Sequence, residues 1–385
     1  MTCIKPKQQV IKAMKNNQKG KIAIMLTAIL AICLSFFIAQ FAIGFAGNKK
    51  LSTDVNDGPY IDIINNEMLV RWVCQGQKKS KKYHSIELPF NFEQCGLKAR
   101  VDSVNHVAAN AIYRGDFDVI AISDIHGQFA LMETLLQQHK VVDLEGNWIF
   151  GDGHLVITGD IFDRGDKVTE TLWYLYRLEK LAADAGGKIH LLLGNHEVMV
   201  LNQDLRYLHE KYQVVGNLFE QSFEALFSDN SVLGAWLRSK SVLVKINNVL
   251  YMHGGFSPEI AELKMSLAQI NSTFKQSLVK KELGRERASN ESFLHGTDGP
   301  IWYRGYFGLL SINEEKLDKI LKHFSIDRIV VGHTSQEQVL SRYHGKVVAI
   351  DSSIKNGKNG EVLLINSDRL YRGYLNGKKS VLEMN

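Results

Sequence analysis

Cysteine is scarce in this chain: four residues in 385, two of which, Cys3 and Cys33, lie near the start. The other two, Cys74 and Cys95, do not form a phosphate-cradling nucleophile loop. Cys95 and Arg100 are five apart, the wrong spacing, and no such loop surrounds them. Thiol-based phosphate chemistry is therefore not expected. A Gly-Lys-Ser/Thr nucleotide loop is missing as well. So is any Lys/Arg stripe interleaved with aromatics, which removes nucleic acid from the expected partners. Acidic residues are absent from residues 1–21, which carry Lys5, Lys7, Lys12, Lys15, Lys19 and Lys21. Those six lysines exceed the formal net charge of +5, so the remainder of the chain carries −1 and is electrically balanced.

Charge is also absent from residues 22–47, where Gln40 is the only strongly polar side chain. A helix needs roughly 20 apolar residues to cross a bilayer. A cleavable signal usually has an apolar stretch of only about 7–15 residues. The segment is expected to be a transmembrane anchor or uncleaved signal, with cleavage near Gly44 and Ala46 the alternative. Lysines concentrate on its N-terminal side, so residues 1–21 are expected in the cytoplasm and everything after residue 50 outside. In a bacterium that puts a single-pass protein in the inner membrane with a periplasmic body, or a periplasmic protein if the signal is removed. Cys74 and Cys95 share one short segment and could pair there; two separate buried thiols are the alternative.

Five short polar motifs follow one another in order: Asp124-Ile125-His126-Gly127, Gly159-Asp160-Ile161-Phe162-Asp163-Arg164-Gly165, Gly194-Asn195-His196-Glu197, His253-Gly254-Gly255 and Gly332-His333-Thr334. Each follows a short apolar run, such as Val119-Ile120-Ala121-Ile122 or Ile329-Val330-Val331, that reads as a buried strand. Polar residues just past strand ends are where layered α/β folds keep their sites. The motifs supply Asp124, His126, Asp160, Asn195, His253 and His333, oxygen and nitrogen ligands suited to manganese, iron or zinc. That set fits two divalent metal ions, which at about 3.5–4 Å apart can activate a water and hold a phosphoryl group for in-line attack. Asp160 is the candidate bridge, with Asp124 and His126 on one ion and Asn195, His253 and His333 on the other. His196 remains as a proton donor to the leaving oxygen and Asp163 as the carboxylate that orients it. Arg164 can grip phosphate oxygens with a bidentate fork. Arg304 is the candidate second arginine and Arg372 the fallback. His190 reads as a core residue, and His209, His323 and His344 as surface or helix residues. His154 and His295 lie near motifs without a partner pattern.

The expected organisation is a basic tail (1–21), the anchor or signal (22–47), a small β-rich accessory segment (51–105) and a catalytic domain (106–385). Within the last, helical patterns cover 128–139, 167–184, 197–211, 217–227 and 258–282. Strands crowd the end at 328–332, 337–342, 346–351, 361–366 and 369–374. The expected fold class is α/β: a layered sandwich of two packed sheets flanked by helices.

These motifs resemble those of the calcineurin-like metallophosphoesterase superfamily. The Asp-Arg-Gly and Asn-His-Glu forms are similar to the serine/threonine-type phosphoprotein phosphatases. Asp298-Gly299-Pro300-Ile301-Trp302-Tyr303-Arg304-Gly305 looks like the bacterial Shewanella-like branch. The resemblance spans roughly 115–355. It implies a two-metal site, direct hydrolysis without a phosphoenzyme, the roles given above, and phospho-Ser/Thr or phospho-Tyr in proteins as substrate. A periplasmic hydrolase of small phosphate esters or nucleotides, including dinucleotide polyphosphates, is the alternative. Symmetrical dinucleotide tetraphosphate hydrolases usually lack an Asp at position 163 and carry Asn-His-Asp. Ile350-Asp351-Ser352-Ser353 departs from the eukaryotic phosphatases, so their docking grooves are not carried over.

Overall fold

The structure, a computed structural model, describes residues 55–107, 109–367 and 369–384. The 1–21 tail and the 22–47 apolar run lie outside the described residues. Among the described residues no helix is long and apolar enough to cross a membrane.

Seventeen strands are described, in chain order β1 (Asp57–Ile64), β2 (Glu67–Cys74), β3 (Gln77–Tyr83), β4 (Phe90–Gln94), β5 (Leu97–Val101), β6 (Ile112–Tyr113), β7 (Val119–Ile122), β8 (His154–Ile157) and β9 (Lys188–Leu191), followed by β10 (Leu243–Ile246), β11 (Val249–Met252), β12 (Arg328–Val331), β13 (Leu340–Arg342), β14 (Val347–Ala349), β15 (Glu361–Asn366), β16 (Arg369–Tyr374) and β17 (Lys379–Val381). Two six-stranded sheets form the centre, ordered β13-β14-β12-β11-β10-β6 and β17-β16-β15-β7-β8-β9. The sheets are mixed: β7 with β8, β8 with β9, β11 with β12 and β12 with β14 run parallel, whereas β10 with β11 and β15 with β7 run antiparallel.

The short apolar runs form these strands because both faces are buried, which favours continuous rather than alternating hydrophobicity. In β7, Val119 and Ala121 point between the sheets, where they join Val156, Tyr251, Val330 and Val348. Ile120 and Ile122 point the other way into the main core, which also holds Met132 and Leu135 of the helix Phe129–Gln138. Side-chain alternation thus divides one strand between two cores.

Residues 57–101 form a three-stranded sheet β1-β2-β3 and a hairpin β4-β5. Cys74 and Cys95 form a disulfide with Cα atoms 5.9 Å apart. Residues 55–385 form one compact unit. The helix Val168–Asp184 joins the segment to the sandwich: Trp173 Nε1 donates to the Pro59 carbonyl at 2.9 Å and Tyr176 Oη to that of Ser103 at 2.7 Å. Lys211 Nζ lies 2.8 Å from the fully buried Asp57 of β1 and donates to the Asp166 carbonyl at 2.7 Å.

Three helical expectations are corrected. The 217–227 stretch is the end of a helix Glu210–Phe219 and a 3₁₀ turn Phe223–Phe227, parted at left-handed Glu220. Residues 197–211 are not one helix. A helix over Asn195–Leu201 stops at Asn202, Gln203 takes a left-handed φ of 67°, and a new helix starts at Glu210, capped by the His209 side chain. The 258–282 stretch divides into a 3₁₀ turn Pro258–Leu263 and helices Leu267–Gln276 and Lys280–Leu283. Left-handed Lys264 and the Ser266 capping box make the first break.

Candidate active site

The sheets bring the C-terminal ends of β7, β8, β9, β11 and β12 to one place, and each of these strands delivers one motif. The hand-offs are tight. His126 N donates to the Asp160 carbonyl at 2.9 Å, and Gly332 N to that of His253 at 2.8 Å. Glycine is required where backbones nearly touch. At Gly332 a Cβ would sit 1.9 Å from Ser123 Oγ, and at Gly159, φ +100°, 2.3 Å from the Gly194 nitrogen. Six non-glycine site residues take left-handed φ: Asp124 (52°), His126 (47°), Asp160 (60°), Asp163 (70°), Arg164 (66°) and His333 (63°). Such conformations cost of order 1–3 kcal/mol each and persist where surrounding structure enforces them, commonly at functional sites.

Glu197 supplies much of that enforcement. Its fully buried carboxylate accepts from the amides of Asp160 (2.8 Å), Ile161 (2.6 Å), Phe162 (3.3 Å) and Gly194 (2.7 Å). One side chain thereby ties the β8 loop to the start of the helix Asn195–Leu201. The Gly194-Asn195-His196-Glu197 motif gives Glu197 no ligand or acid role. The signal available was its position three residues after the helix N-cap, Gly194.

Ligand-type atoms converge in two sets, each mutually within 4.8 Å: His126, Asp160 and His196, and Asp160, His253 and His333. Asp160 belongs to both, as a bridging ligand must. Asn195 joins the second set, its Oδ1 2.9 Å from His253 Nε2, which is also 3.1 Å from His333 Nδ1 and 3.2 Å from Asp160 Oδ2. Asp124, expected beside His126, stands in neither set. Its Oδ2 accepts from the His333 amide at 2.9 Å and from Ser123 Oγ at 2.5 Å, so the carboxylate lies along the wall of the same pocket.

The donor set fits two divalent cations. His126 Nδ1 and His253 Nδ1 are turned to the carbonyls of Phe162 (2.7 Å) and Thr158 (2.9 Å). Those bonds fix the tautomers and leave both Nε2 lone pairs facing Asp160, the orientation typical of metal-binding histidine. Lone pairs of His253, His333, Asn195 and Asp160 then meet with no donor among them. Burial alone would lower the His253 imidazole, but Asp160 and Asp124 hold it up at about 9. Burial alone would raise the Asp160 carboxyl, but His253 and His196 hold it well below the usual range. A pocket that draws a proton onto a buried imidazole is one where metal binding displaces that proton.

Around this cluster stand the groups that would handle phosphate. His196 Nδ1 lies 2.5 Å from Asp163 Oδ2, and its Nε2 faces Arg164 Nη2 at 3.4 Å. Burial pushes the Asp163 carboxyl up and the paired His196 pulls against it. Arg304 reaches in from the other side, its Nη1 2.7 Å from the His333 carbonyl and its Nη2 3.4 Å from His333 Nδ1. Arg372 is elsewhere, bound bidentately to Glu361 at 2.9 and 2.6 Å. His190 and His154 are buried against each other at 3.1 Å, and His295 stacks on Phe274.

Three further residues matter here. Tyr207, 45% exposed, has its ring 5.3 Å from that of His196 and under the Arg164 guanidinium. Its carbonyl accepts from the Arg164 amide at 3.0 Å. Trp302 stands edge-on to His333 at 5.7 Å. Asp351 is fully buried and accepts from Ser335 Oγ at 2.5 Å and the Ser353 amide at 3.0 Å. Its charge is felt by both Asp124 and Arg304. Tyr207 carries no sequence signal, because it lies in the loop read as helix.

Residues 117–337 match the calcineurin-like phosphoesterase family, and the chain belongs to it. It is a phosphatase-type hydrolase of the Shewanella-like protein phosphatase branch. Shewanella-like protein phosphatase 1 of Plasmodium berghei is 26% identical over 312 residues, 79% of this chain and 82% of that protein. Shewanella-like protein phosphatase 2 of Arabidopsis thaliana is 23% identical over 291 residues, 62% of this chain and 72% of that protein. The crystal structure of a cold-active protein-tyrosine phosphatase from a psychrophilic Shewanella species superposes with a TM-score of 0.81 at 42% identity, covering 86% of this chain and all of that one.

Proposed function

We propose that this chain is a metal-dependent phosphoprotein phosphatase with phosphotyrosine as its preferred residue. The observation that carries the reading is the His196–Asp163 pair beside Arg164, set against a carboxylate shared by two ligand clusters. The 42% identity to a protein-tyrosine phosphatase supports the residue preference.

His126 and Asp160 would hold one divalent ion with Asp124, and Asp160, Asn195, His253 and His333 the other. Bound there, the ions supply an acidified water and neutralise phosphoryl charge. The nitrogen and oxygen donors favour manganese, with iron and zinc as alternatives. His196 fits the acid rather than the ligand role because Asp163 already holds its Nδ1. That contact orients the ring, leaving Nε2 to protonate the ester oxygen. Arg164 and Arg304 approach from opposite sides and fit the remaining phosphate oxygens with charge-assisted hydrogen bonds. Tyr207 and Trp302 are aromatic walls beside the leaving group, suited to a planar phenyl ring.

A panel of phosphotyrosyl, phosphoseryl and phosphothreonyl peptides, nucleotides and sugar phosphates tests this reading. Peptides are expected to be hydrolysed with the highest kcat/KM, and Tyr207→Ala to reduce phosphotyrosine turnover more than phosphoserine turnover. Equal kcat/KM for nucleotides or sugar phosphates would favour the small-ester alternative instead.

We further propose the organisation expected above: a cytoplasmic tail (1–21), a membrane anchor or signal (22–47), and an accessory segment (51–105) and catalytic domain (106–385) on the outer side. The charge-free apolar run and the lysine distribution support it. A disulfide between Cys74 and Cys95 is consistent with an oxidising compartment. Protease protection in intact and permeabilised cells checks the orientation.

A further inference from the structure

A cavity of about 810 Å³ lies beside the active site, and nothing in the chemistry above uses it. Trp302 borders it, and so do Val198, Met199 and Leu201 of the helix Asn195–Leu201, whose first two residues are the ligand Asn195 and the acid His196. The far wall is the stretch 279–287. It presents four cationic side chains, Lys280, Lys281, Arg285 and Arg287, while the lining carboxylates are Asp204 and Glu286.

The basic wall is fastened to the catalytic helix. Asn202, the helix C-cap, accepts from the Lys280 amide at 2.8 Å through Oδ1 and donates to the Leu278 carbonyl at 2.9 Å. Arg287 hooks the other edge, donating to the Ser277 carbonyl at 2.9 Å and that of Leu278 at 3.1 Å. Its hydrogen bonds go to backbone carbonyls, and Glu291 and Glu286 act on its charge only through space. Lys281 has no ion pair among the described residues. Lys280 is held by Glu286 at 2.8 Å in an exposed pair that an incoming anion can share, whereas Arg285 is bound bidentately at 2.7 Å by the buried Glu291.

The helix sets the distance. Seven residues at about 1.5 Å each separate its two ends by about 10 Å. An extended peptide advances about 3.3 Å per residue. A phosphoresidue at His196 therefore puts the residue about three positions away in the sequence against the basic wall. Trp302 and the loop carrying Asp204 line the way between.

Building on the phosphoprotein reading, we propose that this cavity is a substrate subsite that selects acidic residues, Asp or Glu, about three positions from the phosphorylated one. Charge at this site acts through binding, so it governs KM and its salt dependence rather than the chemical step.

The test uses two phosphotyrosyl peptides that differ only in carrying Glu or Gln at three positions on either side, with phenyl phosphate as an ester lacking flanks. The full chain is expected to favour the Glu peptide in kcat/KM by about five- to tenfold at low salt, through KM, and to lose the preference as NaCl rises. The exposed pair change Lys280→Glu with Lys281→Glu is expected to abolish or invert the preference and leave phenyl phosphate turnover unchanged. Equal kcat/KM for the two peptides, or a charge reversal that slows both equally, overturns the subsite while leaving the phosphatase reading intact. Hydrolysis of phenyl phosphate with neither peptide accepted overturns the phosphoprotein reading, and the subsite falls with it.

Discussion

His196 and Asp163 are held 2.5 Å apart although they arrive on different strands' loops, His196 after β9 and Asp163 after β8. The contact depends on the left-handed backbone at Asp163 and on Glu197, the residue after His196, which grips the β8 loop by three amides. His196 and Asp163 are therefore placed by the same turn that places Asp160, the carboxylate common to both candidate ligand sets.

Removing that carboxylate's charge should weaken the acid without emptying the metal site. General acid catalysis is worth about 10²–10⁴-fold. Asp163→Asn is expected to lower kcat on phenyl phosphate by on the order of tenfold or more, and by less on p-nitrophenyl phosphate, whose leaving group needs little protonation. Steady-state kinetics on both esters, with metal content measured alongside, checks it. An equal loss on both would count against the acid role.

Metal content should separate ligands from acid. His253→Ala and Asp160→Asn are expected to lose bound metal, and Asp124→Asn to lose part of it. His196→Ala should keep its metal and lose turnover. Elemental analysis of the purified variants checks this assignment, and loss of metal from His196→Ala would instead make His196 a ligand alongside His126 and Asp160. Chelation of the parent protein should lower its melting temperature, and added Mn²⁺ should restore it, since ligands that bind only the folded state stabilise it.

Glu197 should prove to be structural as well as positioning. In Glu197→Gln one carboxylate oxygen becomes an NH₂ facing amide donors. An unsatisfied buried donor costs about 1–3 kcal/mol. Chemical denaturation is expected to show a loss of about 2 kcal/mol or more, accompanied by weaker metal retention. A variant as stable as the parent would remove the argument that this carboxylate enforces the loop.

Acid should destabilise the fold through the half-buried His295. His295 stacks on Phe274 with ring centroids 4.0 Å apart, and burial, reinforced by Arg287, pushes its imidazole down from 6.5 to about 3. The folded value lies below the unfolded one, so the unfolded chain binds the extra proton between them. The stability due to this group is complete above about pH 6.5 and is lost as pH falls towards 3. The urea midpoint of the full chain should fall through that window, and His295→Gln should flatten the slope. Parallel pH profiles for parent and variant would show that His295 does not contribute.

The ingredients were legible along the chain: five strand-end motifs, an α/β alternation giving way to strands, a β-rich segment with its two cysteines, and a chemistry of oxygen and nitrogen donors. These were readable because each depends on neighbours along the chain, through apolar runs, glycine turns and ligand spacing. The tertiary structure decided what depends on distant contacts. The break of the 197–211 helix brings Tyr207 over His196, and nothing local announces it. Arg304 rather than Arg372 enters the site because Glu361 holds the latter. Asp124 turns to the His333 amide because the sheet that holds β12 packs on the sheet that holds β7, which brings Gly332 against Ser123 and Asp124. Glu197 becomes the anchor of a loop 37 residues earlier because buried amides need an acceptor wherever one can reach. Periodicity fixes which residues are buried, but only packing fixes which buried groups meet.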